Sequence, residues 1–285
     1  MKESETPQAK LERLRLLLGR MDSALLAFSG GVDSSFLLRV ARDVLGPRLV
    51  ALTVRSPTAD PREAQSAVSL ARELGVEHVC VDSDELAIPG YAENPVDRCY
   101  FCKGNLFELC HREASRRGIS AILDGVNVDD LGDYRPGLRA ADEHRVRHPL
   151  VEAGLRKQDI RELSREMGLP TWDKPASPCL SSRFPYGTRI TRERIAQVAA
   201  AEEHLRSLGF RACRVRYHEA IARIEVPVTD LARLCDEELR TSVVRRLREL
   251  GFTYVTLDLQ GLRSGSLNEV LFADANVPNP GPRAS

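Results

Sequence analysis

The run Phe28-Ser29-Gly30-Gly31-Val32-Asp33-Ser34-Ser35 lies between an apolar stretch, Ala24 to Phe28, and an amphipathic one, Phe36 to Leu45. Residues of these types at this spacing can bind a pyrophosphate group. Adjacent glycines tolerate positive φ and carry no side chain, so successive backbone N–H groups can converge on a phosphate where a helix begins. Ser29, Ser34 and Ser35 add hydroxyl donors, and Asp33 can face a magnesium ion. No lysine follows the glycines, so the Walker pattern G-x-x-x-x-G-K-[ST] is absent, which argues against a kinase or GTPase of the usual P-loop kind. A tight strand-to-helix turn with a capping serine is the plainer reading of the same residues.

A second chemistry-bearing group is sulfur. Cys99 and Cys102 have C-x-x-C spacing at an expected helix start, where backbone N–H groups lower thiolate pKa values and an i,i+3 pair can face one ion. Two thiols do not close a zinc or iron–sulfur site, which usually takes four ligands. Cys179, in the stiff segment from Asp173 to Gly187 with its three prolines, is the natural third, beside Ser177, Ser181, Ser182 and Arg183. Three readings stay open: a [4Fe–4S] cluster with one open iron, a reactive Cys179 beside a separate C-x-x-C, or unmetallated thiols or zinc. Cys80, Cys110, Cys213 and Cys235 lie on apolar elements without partners at ligand spacing and read as core residues.

The elements that must position these groups alternate. Strands are expected at Ala24–Phe28, Leu49–Val54, Glu77–Val81 and Ala121–Leu123, with helices at 36–45, 61–74 and about 103–117 between them. This β-α-β alternation predicts an α/β fold, a Rossmann-like parallel sheet with helices on both faces and ligands beyond the carboxyl ends of the strands. Thr53, Asp82 and Asp124-Gly125 fall on that rim with the glycine loop, and Asp129, Asp130, Asp133 and Arg135 follow in a charged loop. Residues 126–150 read as a polar stretch, followed by a helix over 157–167. Beyond the proline segment come a helix (191–208), strands (212–217 and 221–226), a helical region (230–250) and a strand (254–259), a smaller α+β domain. The expected domains are residues 1–173 and 174–285. Arg214 and Arg216 alternate on a strand and can clamp a phosphate or carboxylate from one face, although two solvated arginines would leave the same pattern. Asp258, Arg263, Ser264 and Ser266 end the last strand and can complete a substrate pocket. The six histidines, 78, 111, 144, 148, 204 and 218, show no ligand spacing and read as surface or structural.

Composition bounds the partners. The 285 residues carry 41 basic and 41 acidic side chains, so nothing in the overall balance calls for a nucleic acid. No apolar run approaches the roughly 20 residues needed to cross a bilayer, and seven cysteines without a signal peptide point to thiols, metal ligands or catalysis rather than a disulfide framework. A soluble cytoplasmic protein is expected, with a small-molecule substrate, no membrane partner and further copies of itself in a homo-oligomer.

The glycine loop resembles the SGGxDS loop of the ATP-pyrophosphatase superfamily. The resemblance implies ATP cleavage between the α and β phosphates to activate a carbonyl, carboxylate or amide oxygen. Together with Arg98-Cys99-Tyr100-Phe101-Cys102-Lys103, the segments 124–137, 179–187 and 261–269 are similar to the LarE family of ATP-dependent sulfur transferases, over about residues 10–273. That resemblance implies adenylation of the carboxylates of pyridinium-3,5-biscarboxylic acid mononucleotide and their conversion to thiocarboxylates for the nickel-pincer nucleotide cofactor. It implies ATP and Mg2+ at Ser29, Gly30, Gly31, Val32, Asp33, Ser34, Ser35, Thr53, Gly125, Asp130 and Arg135. Cys179, Asp33 and Arg183 are implied as catalytic, and Arg214, Arg216, Asp258, Arg263 and Ser264 as substrate-binding. Members with only the cysteine matching Cys179 give up its sulfur once. Members with three hold a [4Fe–4S] cluster whose open iron takes sulfide, so Cys99, Cys102 and Cys179 imply a catalytic enzyme fed by sulfide or a sulfur-donor protein. The rival readings are a tRNA-thiolating enzyme of the same superfamily, an amide-forming synthetase, and a non-catalytic nucleotide sensor with redox-active thiols.

Overall fold

The computed structural model describes residues 5–132, 136–175, 177–263 and 265–272. The chain divides into two compact units. One is Met1–Tyr91 with Pro95–Ser177, and the other is Ala92–Asn94 with Pro178–Ser285.

In the first unit the elements are α1 (Pro7–Gly19), β1 (Ala24–Ala27), α2 (Val32–Leu45), β2 (Leu49–Arg55), α3 (Pro61–Glu73), β3 (Glu77–Asp82), α4 (Arg98–Arg117), β4 (Ala121–Leu123), α5 (Pro136–Glu143), α6 (Pro149–Glu152) and α7 (Lys157–Glu166). The strands form one parallel sheet in the order β3-β2-β1-β4. All four residues of β1 and the first five of β2 are buried, as a central parallel strand covered on both faces requires. Ala24 and Leu26 point into a core built with Leu14, Phe36, Leu37 and Ile160, whereas Leu25 and Ala27 point into another with Phe107, Cys110 and Ala140. Helices therefore cover both faces, and the period-two alternation of β1 divides its side chains between them. Strand order reverses at β1, which has β2 on one side and β4 on the other. The loops following β1 and β4 flank the crevice where ligands of such sheets bind.

Three details depart from the sequence expectations. α2 begins at Val32, directly after the glycines, because the loop serine and aspartate sit inside its first turn. α4 begins at Arg98 rather than near 103, so Cys99 is in its first turn and Cys102 one turn on. The polar stretch 126–150 contains α5 and α6; Ala140 and Ala141 on α5 and Leu150 on α6 are the apolar residues they bury.

The second unit contains α8 (Arg192–Ser207), β5 (Arg214–His218), β6 (Ile221–Glu225), α9 (Leu231–Leu234), α10 (Glu237–Glu249), β7 (Tyr254–Leu257) and α11 (Glu269–Phe272). β5 pairs antiparallel with β6, and β6 pairs parallel with β7. The expected single helical region over 230–250 is broken, because Asp236 accepts hydrogen bonds from Glu238 N and Leu239 N and starts α10 afresh. Val198, Leu205, Val215, Ile224, Leu247 and Phe252 are buried, and the Tyr217 ring meets Phe184 at 5.3 Å and Phe252 at 6.1 Å. No helix among the described residues is long and apolar enough to cross a membrane.

Candidate functional site

The loop after β1 is a closed cradle. Gly31 N–H donates to Ser29 Oγ (3.4 Å), Ser29 Oγ lies 3.1 Å from Ser34 Oγ, and Ser34 Oγ donates to Gly31 O (3.3 Å). With the Ser34 proton on that carbonyl, Ser29 is the donor to Ser34, so each hydroxyl is committed to shaping the loop. Gly30 has φ +71°, and a Cβ there would also stand 3.1 Å from Ala67 Cβ, so conformation and space both call for glycine. Because Ser35 N–H is bonded to Gly31 O, the N–H groups of Val32, Asp33 and Ser34 precede the helical ladder. At the positive end of the helix dipole such donors favour an anion. Ser35 is fully buried, and its Oγ has no hydrogen-bond partner among the described residues.

The other rim residues brace this loop. Thr53, at 4% exposure, donates from Oγ1 to Phe28 O (2.7 Å). Its proton thus used, Thr53 accepts from His78 Nε2 (2.8 Å); burial lowers the His78 pKa, which favours the neutral Nε2–H tautomer. Thr53 therefore ties β2 to the end of β1 beneath the loop. Gly125, after β4, lies against the first turn of α2: a Cβ there would be 2.9 Å from Ser34 N and 3.1 Å from Ser34 Cα. Asp124, at 4% exposure, receives Val126 N–H and pairs with His148 Nδ1 at 2.6 Å. The hydrogen bond to Asp124 raises the His148 pKa against the pull of burial. Asp130 accepts Asn127 N–H and shapes the turn after β4, while Asp129 accepts Lys157 N–H and Arg156 Nη1 and so fixes the start of α7. Asp133, Arg135 and Ser264 lie outside the described residues.

Two lysines enter the same loop from far along the chain. Lys157 Nζ donates to Asp33 Oδ2 at 2.6 Å, and Asp33 Oδ1 is buried with no hydrogen-bond partner among the described residues. Lys174 Nζ donates to Gly30 O at 3.0 Å and pairs with Glu63 at 2.7 Å. Neither residue has a local spacing that marks it in the sequence, since they stand 124 and 144 positions from their loop partners.

The sulfur residues divide between the units. Cys99 is exposed and Cys102 half-buried at the start of α4 in the first unit; Cys179 is half-buried in the second. Of the four cysteines expected in the core, Cys110 and Cys213 are buried, and burial pushes the Cys110 thiol up to about 12; Cys80 is only half-buried and Cys235 is exposed, so the expectation fails for these two. The three thiols of the expected ligand set are thus outside the packed cores, and thiolate donors suit a soft iron–sulfur centre. Among the described residues no three His, Cys, Asp or Glu side chains are gathered as a metal centre.

Cys179 sits on a loop held by a buried arginine. Arg183 Nη1 donates to Pro178 O (2.8 Å), Cys179 O (3.3 Å) and Ser182 Oγ (2.9 Å), while Nε and Nη2 bind the two oxygens of Glu202 at 2.7 and 3.0 Å. Burial alone would lower the Arg183 pKa, and the hydrogen bonds and charge of Glu202 reverse that and raise it. Arg183 therefore positions the cysteine loop through its backbone. Arg216 is similarly engaged, with both Glu225 oxygens at 2.9 Å, Ser182 O at 2.6 Å and Ser266 Oγ at 2.8 Å.

Arg214 differs. It is 8% exposed, its Nη1 donates to Arg263 O (3.0 Å), and among the described residues no carboxylate lies within ion-pair distance. Burial and then the neighbouring Arg216 and Arg183 push its pKa down to about 10. A buried cation without a counter-charge is a ready anion site. Asp258 lies 3.7 Å from both Arg223 and Arg263, and Arg263 also reaches Glu269 at 3.2 Å.

A family model described as NAD synthase matches residues 18–106, the segment that carries the phosphate loop. Over 264 residues the chain is 47% identical to an uncharacterised protein of Synechocystis, covering 93% of this chain and 98% of that one. It is 43% identical over 268 residues to the pyridinium-3,5-bisthiocarboxylic acid mononucleotide synthase of Lactiplantibacillus plantarum, covering 93% of this chain and 96% of the relative. A tRNA-specific 2-thiouridylase of Azorhizobium caulinodans is 31% identical over 193 residues, about half of each chain at 54% and 49%. With a phosphate cradle at the switch point of its sheet and a near full-length match to that synthase, the chain belongs to the LarE family of ATP-dependent sulfur transferases.

Proposed function

We propose that the protein adenylates the carboxylates of pyridinium-3,5-biscarboxylic acid mononucleotide and replaces a carboxylate oxygen with sulfur, making thiocarboxylates for a nickel-pincer nucleotide cofactor. The observation that carries this reading is the 43% identity over 96% of the synthase from Lactiplantibacillus plantarum. The site residues support it. The loop N–H groups and Asp33 would hold the triphosphate of ATP and its Mg2+. A substrate carboxylate oxygen attacks the α-phosphorus, the bond to the bridging oxygen breaks, and pyrophosphate leaves. A sulfur nucleophile then adds to the carbonyl carbon of the acyl adenylate and AMP departs with the oxygen, leaving a thiocarboxylate after loss of the sulfhydryl proton. In this division the first unit activates, and the second receives the substrate's anionic groups, with Arg214 as the principal cation and Arg216, Asp258 and Arg263 supporting it.

For sulfur, Cys99, Cys102 and Cys179 would hold a [4Fe–4S] cluster, whose open iron supplies a replaceable sulfide when the cluster is bound. The donor is sulfide or a sulfur-donor protein, and the working form is a cytoplasmic homo-oligomer. The test is pyrophosphate release with ATP, Mg2+ and sulfide under anaerobic conditions. Release that depends on the pyridinium dicarboxylate, with mass-spectrometric detection of its thiocarboxylate, is expected. Release that instead requires tRNA would assign the protein to nucleic-acid thiolation and refute the proposal.

A further inference from the structure

A triphosphate brings several negative charges into a loop that already contains Asp33 and has Glu63 beside it, yet the loop sequence supplies no cation. Lys157 and Lys174 fill that gap in space. We propose that these two lysines bind the β- and γ-phosphates of ATP, in place of the lysine that a Walker loop carries within its own sequence; this rests on the reading of the loop as an ATP site.

Three observations carry the assignment. Each ammonium is already at the cradle, Lys157 on Asp33 at 2.6 Å and Lys174 on the Gly30 carbonyl at 3.0 Å. Each backbone is fixed by a contact that does not depend on the ammonium: Asp129 receives Lys157 N–H at 2.9 Å, and Arg161 donates to Trp172 O at 2.8 Å and Lys174 O at 3.0 Å. Each ammonium is matched by one carboxylate, Asp33 or Glu63, at 2.6 and 2.7 Å. These local pairs are neutral before nucleotide enters, and both cations can change partners without leaving an uncompensated charge in the loop.

The exchange follows from charge. Phosphate oxygens offer a lysine more negative charge than a single carboxylate, so Lys157 moves from Asp33 to phosphate and Asp33 is released toward the Mg2+ that accompanies ATP. Lys174 moves the shorter distance, from the Gly30 carbonyl to a phosphate oxygen held by the same loop. A lysine is suited to such a hand-over because its ammonium is a mobile point charge on a flexible stem.

Calorimetric titration of wild type, Lys157→Met and Lys174→Met with Mg·ATP, Mg·pyrophosphate and AMP tests this. Removing one charge-assisted contact is expected to weaken ATP and pyrophosphate about 10- to 100-fold, and to leave AMP, which lacks the β- and γ-phosphates, within about threefold of wild type. Lys157→Arg, which keeps the charge, is expected to recover most of the ATP affinity. Unchanged ATP affinity in both variants overturns the proposal, as does equal loss of ATP and AMP in variants with wild-type melting temperatures. Should a Met variant fail to fold, an Arg variant that folds but shows no preference for ATP over AMP overturns it equally. If wild type binds neither ATP nor AMP, the reading of the loop as an ATP site fails as well, which separates the two failures.

Discussion

Arg183 and Glu202 make a sharp prediction because both are almost wholly buried, at 5% and 1% side-chain exposure. Replacing Arg183 with Met removes two charge-assisted hydrogen bonds to Glu202 and the donors to Pro178 O, Cys179 O and Ser182 Oγ. Glu202 keeps Arg206 Nη1 at 3.2 Å and Val215 N–H at 3.0 Å, so its charge is not wholly orphaned. The loss is expected near the lower end of the range for breaking a buried pair, about 3 kcal/mol of about 3–5. Replacing Glu202 with Met leaves Arg183 with carbonyl and hydroxyl acceptors but no counter-ion, and about 4 kcal/mol is expected within the same range. The double variant, apolar at both positions, is expected to lose less than the sum by about 1–3 kcal/mol, the coupling usual for residues in contact. Urea unfolding followed by far-UV circular dichroism, with midpoint and slope compared for the four proteins, measures this. Additive losses, or single losses below about 1 kcal/mol, the ordinary value of an exposed ion pair, would refute the claim that this pair anchors the cysteine loop.

Gly125→Ala places a methyl 2.9 Å from Ser34 N; the backbone of the phosphate cradle must shift, costing about 1–3 kcal/mol, and isothermal titration should show ATP affinity reduced about tenfold. Arg214→Met removes a buried cation without a counter-charge, so its melting temperature is expected to hold or rise while the KM for the pyridinium nucleotide increases about 10-fold or more; a fall in melting temperature with unchanged KM would make Arg214 structural. His148→Gln tests the pair with Asp124. Because the His148 pKa is raised above its ordinary 6.5, its contribution to stability is fully present below that value and is lost as pH rises through the higher folded value. The stability gap between wild type and variant should therefore be largest in mild acid, about 1.5–3 kcal/mol for a hydrogen bond to a charged group, and shrink in alkaline solution. A gap independent of pH would mean that this histidine is not held as the cation.

The sheet was legible because its strands announce themselves. The apolar run of β1 and the Leu49–Leu52 run that opens β2 are what parallel strands covered on both faces require, and the glycine loop followed by an amphipathic helix located the crevice. The start of α4 was not, since Pro95, Asp97 and Arg98 give no apolar period, and α5 and α6 are too short to show one. The chemistry within the loop was half legible: Ser29, Gly30, Gly31, Asp33 and Ser34 are contiguous, whereas Lys157, Lys174 and His148 meet the rim only through tertiary structure. Alternation on β5 put Arg214 and Arg216 together, but it could not tell them apart. Glu225, which neutralises Arg216, lies on the neighbouring strand directly opposite Arg214 in register, and that pairing is what leaves Arg214 without a carboxylate.

The most direct test of sulfur transfer by this protein is the amount of thiocarboxylate formed per chain under anaerobic conditions with ATP, Mg2+, the pyridinium dicarboxylate and excess sulfide, after iron reconstitution. Product should exceed the protein concentration many times over, with Cys179 intact by mass spectrometry and turnover abolished in Cys99→Ser, Cys102→Ser and Cys179→Ser. Product that stops at one sulfur per chain with Cys179 converted to dehydroalanine, or multiple turnovers by Cys179→Ser, would contradict it.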